Sequence, residues 1–148
     1  MTEPKMDPKK KELIDGLNED LSWEYAAVMT YRSYASLVQG PYRQELRQFF
    51  EGEIPDELAH AQMLADKIVA LGGMPSVKPA PVKLFAEAKA MLQNALEDER
   101  STLARYIKRR RQAEDLGEYG LAVELDTLIA DESKHADELQ LMLGRWDD

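Results

Sequence analysis

There is no cysteine among the 148 residues, which excludes a disulfide framework, cysteine-held zinc, iron–sulfur clusters and a thiol nucleophile. No apolar run approaches the roughly 20 residues that a membrane helix needs. The opening MTEPKMDPKK holds no apolar core of a secretory signal. The chain is therefore expected in the cytoplasm. Bases are outnumbered, 19 against 28 acids for a net charge of −9, which disfavours a nucleic-acid grip by the folded body and favours cations as partners. The basic clusters are short: Lys9-Lys10-Lys11 reads as part of a flexible tail over residues 1–10, and Lys108-Arg109-Arg110-Arg111 as a solvated or intersubunit helix face. Histidine occurs only twice. What remains is 44% hydrophobic and 32% charged, the balance of a single globular domain spanning 1–148.

Period-two alternation is absent, and a helical period runs almost throughout. Leu13, Leu17, Leu21, Tyr25, Val28, Tyr31 and Ala35 mark a first helix over Leu13–Val38, stopped by Gln39-Gly40-Pro41. A second covers Tyr42–Leu71 and ends at Gly72-Gly73, with Pro55 expected to kink it or loosen one turn. Pro75, Pro79 and Pro81 make Gly72 to Val82 an extended crossover. A third helix over Lys83–Leu116 ends at Gly117, and a fourth over Leu121–Leu143 closes at Gly144. Helices of this length reach roughly 35–50 Å at about 1.5 Å per residue. Long helices joined by short, long and short connections predict an all-α fold, an antiparallel four-helix bundle with one crossover between helices 2 and 3.

Both histidines sit in the same word, Asp56-Glu57-Leu58-Ala59-His60 on the second helix and Asp131-Glu132-Ser133-Lys134-His135 on the fourth. Glu and His three apart share a helix face, so carboxylate and imidazole can converge on one point. The other two helices offer Glu24, an acid among apolar neighbours, and Glu99. Spacing selects Glu99: Glu24 to Glu57 is 33 residues, as is Glu99 to Glu132, and Glu24, Glu57 and His60 all shift by 75 to Glu99, Glu132 and His135. The halves thus read as a structural repeat whose pseudo-twofold axis gathers these six residues at the bundle centre. One Glu from each of two helices and Glu-x-x-His from each of the others is the di-iron or di-manganese carboxylate pattern. Carboxylates bridge and neutralise hard cations, and imidazole tilts preference toward iron-like metals. Asp56 and Asp131 can each accept the outer ring N–H of the opposite half's histidine, fixing its tautomer. Trp23, Tyr25, Tyr34 and the seven methionines read as packing residues.

Over about residues 11 to 146 the chain resembles bacterioferritin, within the ferritin-like superfamily. The words that carry this are Leu17-Asn18-x5-Glu24-x6-Tyr31, Glu53-x3-Glu57-x2-His60, Leu92-x6-Glu99 and Asp131-Glu132-x2-His135. The resemblance implies a ferroxidase centre holding two iron ions per chain, with Glu57 and Glu132 bridging, Glu24 and His60 at one iron, and Glu99 and His135 at the other. It further implies an electron-delivering role for Tyr31 and an inner-surface position for Glu53, a carboxylate that admits iron. The implied reaction is oxidation of Fe(II) to Fe(III), with O2 or H2O2 as acceptor, for iron storage or detoxification. The implied assembly is a homo-oligomer with a dimer as its minimum unit and a cage as its largest form. Two departures stand out. Bacterioferritin holds haem through a methionine directly after the helix-two ligand Glu, whereas this chain has Leu58, so no haem is expected. Only 13 residues follow His135, so the short fifth helix of the cage-forming family is expected to be lacking. The alternative readings are a cage-less di-iron peroxidase or oxidase resembling rubrerythrin, and a metal-free helical module that binds another protein.

Overall fold

The computed structural model describes residues 5–147, and among these the ordered elements are four α-helices: α1 (Pro8–Leu37), α2 (Arg43–Ala70), α3 (Ala88–Asp115) and α4 (Tyr119–Leu143). Helix α1 starts five residues before the position that periodicity suggests. Pro8 takes the first turn, where its missing N–H is no loss, and the Asp7 side chain accepts from the Lys9 amide at 2.7 Å. Lys9, Lys10 and Lys11 therefore lie on the first turns of α1 rather than in a tail, while residues 1–4 of the expected tail fall outside the described residues. Helix α3 starts later than expected, at Ala88, because Lys83 is held in the crossover by a hydrogen bond from the Tyr34 hydroxyl to its carbonyl, 2.8 Å. Helix α2 runs through Pro55 without interruption. Pro55 and Glu51, whose carbonyl loses its donor, are both exposed, so water can take the vacant hydrogen bond.

Glycine ends α2 and α3 in the same way. Gly72 (φ 92°) and Gly117 (φ 74°) adopt the left-handed conformation. Their amides reach back to Val69 and Glu114, and those of the next residues, Gly73 and Glu118, to Ile68 and Ala113. That pair of bonds is the Schellman cap, which glycine permits at no steric cost.

Side chains inside the bundle form two apolar clusters, each drawing on all four helices. One joins Leu13, Leu17 and Leu21 of α1 to Leu64 and Ile68 of α2, Tyr106 and Ala113 of α3, and Leu121 and Leu125 of α4. The other joins Tyr31 and Tyr34 to Phe50, Met91, Leu92, Ala95 and Leu139. The early part of α1 thus meets the late part of α2, the late part of α3 and the early part of α4, which makes α1 antiparallel to α2 and α3 and parallel to α4. Consequently the chain must travel the bundle's length between the end of α2 and the start of α3. Residues 71–87 do so in extended form, with a reach of roughly 55 Å at about 3.3 Å per residue. Asn18 pins this strap twice, donating to the Met74 carbonyl at 3.0 Å and accepting from the Ser76 amide at 2.7 Å, and the Ala80 amide donates to the Ser22 carbonyl at 2.9 Å.

One basic residue departs from the solvated reading. Arg109 is buried, and its guanidinium donates to both carboxylate oxygens of buried Asp20, at 2.8 and 3.2 Å. The room comes from Gly16, where a Cβ would lie 1.9 Å from Arg109 Nη1. The run of four bases conceals this because Lys108 and Arg111 face outward, Arg110 pairs with Asp126 of α4 at the surface, and only Arg109 is buried. Gly16→Ala is expected to displace the guanidinium and destabilise the fold by about 1–3 kcal/mol. Urea unfolding checks this, with a lower midpoint at an unchanged slope as the expected result.

Candidate metal centre

Between the two apolar clusters, every helix turns a carboxylate inward. Glu24 (α1), Glu57 (α2), Glu99 (α3) and Glu132 (α4) are all buried, as is His60, and His135 is nearly so. The six residues that spacing selects are therefore brought together. Their positions follow from the helical period: Glu57 and His60, and likewise Glu132 and His135, stand three apart on the inward face. The imidazoles lie side by side, ring centroids 6.5 Å apart and 26° from parallel.

Two of the glutamates face both histidines. Glu132 places Oε1 3.0 Å from His60 Nδ1 and Oε2 3.7 Å from His135 Nδ1, and Glu57 places Oε2 3.8 Å from His60 Nδ1 and Oε1 3.6 Å from His135 Nδ1. The others serve one side each, Glu24 at 3.8 Å from His60 Nδ1 and Glu99 at 4.0 Å from His135 Nδ1. The outer ring nitrogens meet the neighbouring acids crosswise. His60 Nε2 lies 3.2 Å from Asp131, and His135 Nε2 lies 3.3 Å from Asp56. An Nε2–H donated to those aspartates leaves each Nδ1 lone pair aimed at the centre. Glu53 is nearer than an inner-surface position suggests: its Oε2 lies 3.2 Å from His135 Nδ1, and its side chain is only 12% exposed.

Tyrosines flank the centre on both sides. The Tyr31 hydroxyl donates to Glu99 at 2.6 Å, and the Tyr106 hydroxyl donates to Glu24. Tyr106 escapes a reading built on acids and histidines alone. The signal for it is the repeat itself, since Tyr31 shifted by 75 is Tyr106. Trp23, by contrast, sits beside the Arg105 guanidinium, 4.8 Å from ring centroid to Cζ. Tyr34 shares a hydrogen bond with buried Asn94, 2.9 Å, and belongs to the packing it was expected to serve.

Electrostatics in this space are severe. Burial, then the charge of Glu24, holds the Glu57 carboxyl well above the usual range. Glu24 moves the other way: burial pushes it up, but hydrogen bonding with Glu57, His60 and Tyr106 and the charge of His60 outweigh that and hold its carboxyl below the usual range. Burial would lower both imidazoles, yet Glu132 and Glu24 lift His60 to about 10, and Glu132 with Glu53 lifts His135 to about 9. Burial and nearby carboxylates push both Tyr31 and Tyr106 well above 10, so both remain phenols.

Whether these residues suit metal ions is answered by the atoms left without partners. Among the described residues, the buried side-chain atoms lacking a hydrogen bond are Glu24 Oε2, Glu53 Oε2, Glu57 Oε1, both Glu132 oxygens, His60 Nδ1, His135 Nδ1 and Arg105 Nε. All but the last point into this one space, where leaving them unpaired is costly. Together with Glu99, these acids and histidines form two sets whose ligand atoms lie within 4.8 Å of one another: Glu24, Glu57, His60 and Glu132, and Glu53, Glu57, Glu99 and His135. Oxygen-rich sets with one imidazole each suit iron, manganese or cobalt.

An antiparallel four-helix bundle with a carboxylate–histidine centre at mid-length defines a class of protein, the ferritin-like bundles. The chain belongs to the ferritin-like family, whose domain model matches residues 14–148. Among similar proteins are the bacterioferritins of Brucella melitensis biotype 1, 29% identical over 132 residues covering 88% of this chain and 82% of that one, and of Streptomyces coelicolor, 29% identical over 136 residues covering 89% and 80%. A crystal structure of a ferritin-like, diiron-carboxylate protein from Bacillus anthracis str. Ames superposes with a TM-score of 0.92 at 47% identity, covering 93% of this chain and 99% of that one. No helix among the described residues is long and apolar enough to cross a membrane.

Proposed function

We propose that this protein is a ferroxidase. It binds two Fe(II) per chain and oxidises them to Fe(III), passing two electrons to O2 or H2O2, in the service of iron storage or detoxification. The observation that carries the reading is the double facing of Glu57 and Glu132, each with one oxygen toward each histidine at 3.0–3.8 Å. Carboxylates so placed can bridge two cations and hold them a few ångströms apart, the separation at which two metals act together on one small acceptor. Glu24 and His60 hold one ion, and Glu99 and His135 the other. Four carboxylates and two neutral imidazoles balance two divalent charges, and Asp56 and Asp131 keep the imidazoles oriented. Tyr31 delivers electrons to the centre, its hydroxyl bound to Glu99. The similarity to bacterioferritins and to a diiron-carboxylate structure supports the choice of iron.

Anaerobic titration with Fe(II) followed by air tests the proposal. Two Fe(II) per chain should bind and then oxidise quickly, and a fast phase of one or none would overturn the two-ion stoichiometry. Chain mass in solution separates the two uses of the product. A homo-oligomer near 12 or 24 copies supports storage, and a dimer supports detoxification alone.

No haem is assigned to the protein. Leu58, at the position where the family carries its axial methionine, offers no donor atom and is 51% exposed. Protein supplemented with haem is expected to show no Soret absorption after desalting. A stoichiometric bis-thioether spectrum would show that another methionine serves.

A further inference from the structure

A shift of 75 residues carries α1 and α2 onto α3 and α4, and takes Glu24 to Glu99, Tyr31 to Tyr106, Asp56 to Asp131, Glu57 to Glu132 and His60 to His135. Distances obey the same symmetry. Each tyrosine donates to the other half's glutamate, and each aspartate meets the other half's histidine. With these residues alone the two cation positions would be chemically equal. One residue breaks the rule. Glu53, one helical turn before Glu57, maps onto Leu128, a core residue 5% exposed in the cluster on the other side of the centre.

Glu53 is not a bystander at the surface. Its Oε2 approaches His135 Nδ1 to 3.2 Å, nearer than Glu57 at 3.6 Å, Glu132 at 3.7 Å or Glu99 at 4.0 Å. That oxygen is buried and has no hydrogen-bond partner. It falls in one ligand set with Glu57, Glu99 and His135. Among the described residues, the His60 side has only Glu24, Glu57 and Glu132, with apolar Leu128 at the position equivalent to Glu53.

We propose that Glu53 is a direct ligand on the His135 side and makes it the tighter of the two cation positions. The inference rests on the two-cation reading above and adds an order of filling to it. An additional carboxylate supplies a hard oxygen donor and one more negative charge in a space where little water screens it. The first divalent ion therefore settles beside His135, and the second enters the poorer position beside His60, with Glu57 and Glu132 shared between them.

Isothermal titration of the full chain with Mn(II) under nitrogen tests this without any turnover. The wild type should show two steps of unequal affinity. His135→Ala should remove the tighter step and His60→Ala the weaker one. Glu53→Gln, which keeps the shape and loses the charge, and Glu53→Leu, which copies the other half, should each weaken the tighter step by about tenfold or more and leave the weaker one within about twofold. Metal-free melting temperatures at or above wild type establish that both variants fold, since each buries one acid fewer. The proposal is overturned by two equal steps in the wild type, by loss of the tighter step in His60→Ala, or by an unchanged titration of Glu53→Gln. Absence of any Mn(II) uptake by the wild type would instead remove the two-cation reading itself.

Discussion

A chain carrying Glu57→Ala together with Glu132→Ala is expected to lose rapid Fe(II) oxidation altogether, falling to the rate seen in protein-free buffer. These two side chains are the ones that face both histidines, so their removal leaves two isolated half-sites. Disturbing the outer partners of a metal site costs about 10–100-fold in affinity or activity, and loss of both bridges should exceed that. The single variants should each show most of the defect, because residues that act as a unit are strongly non-additive. Glu138→Ala, an exposed acid on α4, serves as control and should oxidise at the wild-type rate. The measurement is the absorbance rise on mixing anaerobic Fe(II)-protein with air. Undiminished oxidation in the double variant would place the chemistry elsewhere in the molecule.

The second large effect is on stability. Without metal, the buried carboxylates of the centre are offset by bound protons: burial and the charge of Glu24 hold the Glu57 carboxyl well above its usual range, and His60 and His135 are lifted to about 10 and about 9. Metal binds the folded centre far better than the unfolded chain, so each site adds RT ln(1 + [L]/Kd), about 2.7 kcal/mol at a hundredfold excess over Kd. Two sites give about 5 kcal/mol, a rise of roughly 10–20 °C in melting temperature for a domain of this size. The sign with pH follows from the protons displaced. Metal must remove them from the imidazoles, so the thermal shift should grow as pH rises toward about 9 and shrink in acid. Replacing Glu24, Glu57, Glu99 and Glu132 by Gln should abolish the response yet leave the metal-free bundle at least as stable, because the charge repulsion goes with them. Melts with and without Mn(II) in identical buffer decide it. A wild-type melting temperature that does not move with metal would favour a helical module with no metal role.

Much of the architecture is legible in the sequence, and for a physical reason. Long helices carry a redundant signal: α1 repeats its apolar stripe through Leu13, Leu17 and Leu21 and again through Tyr31 and Tyr34. Boundaries are less redundant, since each depends on one cap. Asp7 and Pro8 move the start of α1 forward, and Tyr34's grip on Lys83 delays α3. At the centre, Glu-x-x-His repeated at a fixed offset selects the six convergent residues, because ligand chemistry demands particular residue types at particular spacings. Tyr106 follows the same offset but is an aromatic among many apolar neighbours, so type alone does not mark it. The Asp20–Arg109 pair joins two distant stretches of the chain, and the room for it comes from Gly16, one turn before Asp20. Nothing local distinguishes Arg109 from the bases beside it.

The placement of the polar centre between two apolar clusters has a consequence for how the bundle breathes. Each cluster clamps all four helices at its own end, while the stretch between gathers buried polar atoms that lack hydrogen-bond partners. Local opening should therefore begin at mid-length rather than at the ends. Amide hydrogens around Glu24, Glu57, Glu99 and Glu132 should exchange with solvent faster than those around Leu17, Leu64, Leu92 and Leu125, a reversal of the end-fraying usual for helices. Binding of cations would then close the gradient, and the middle of the protein would become as slow to exchange as its two ends.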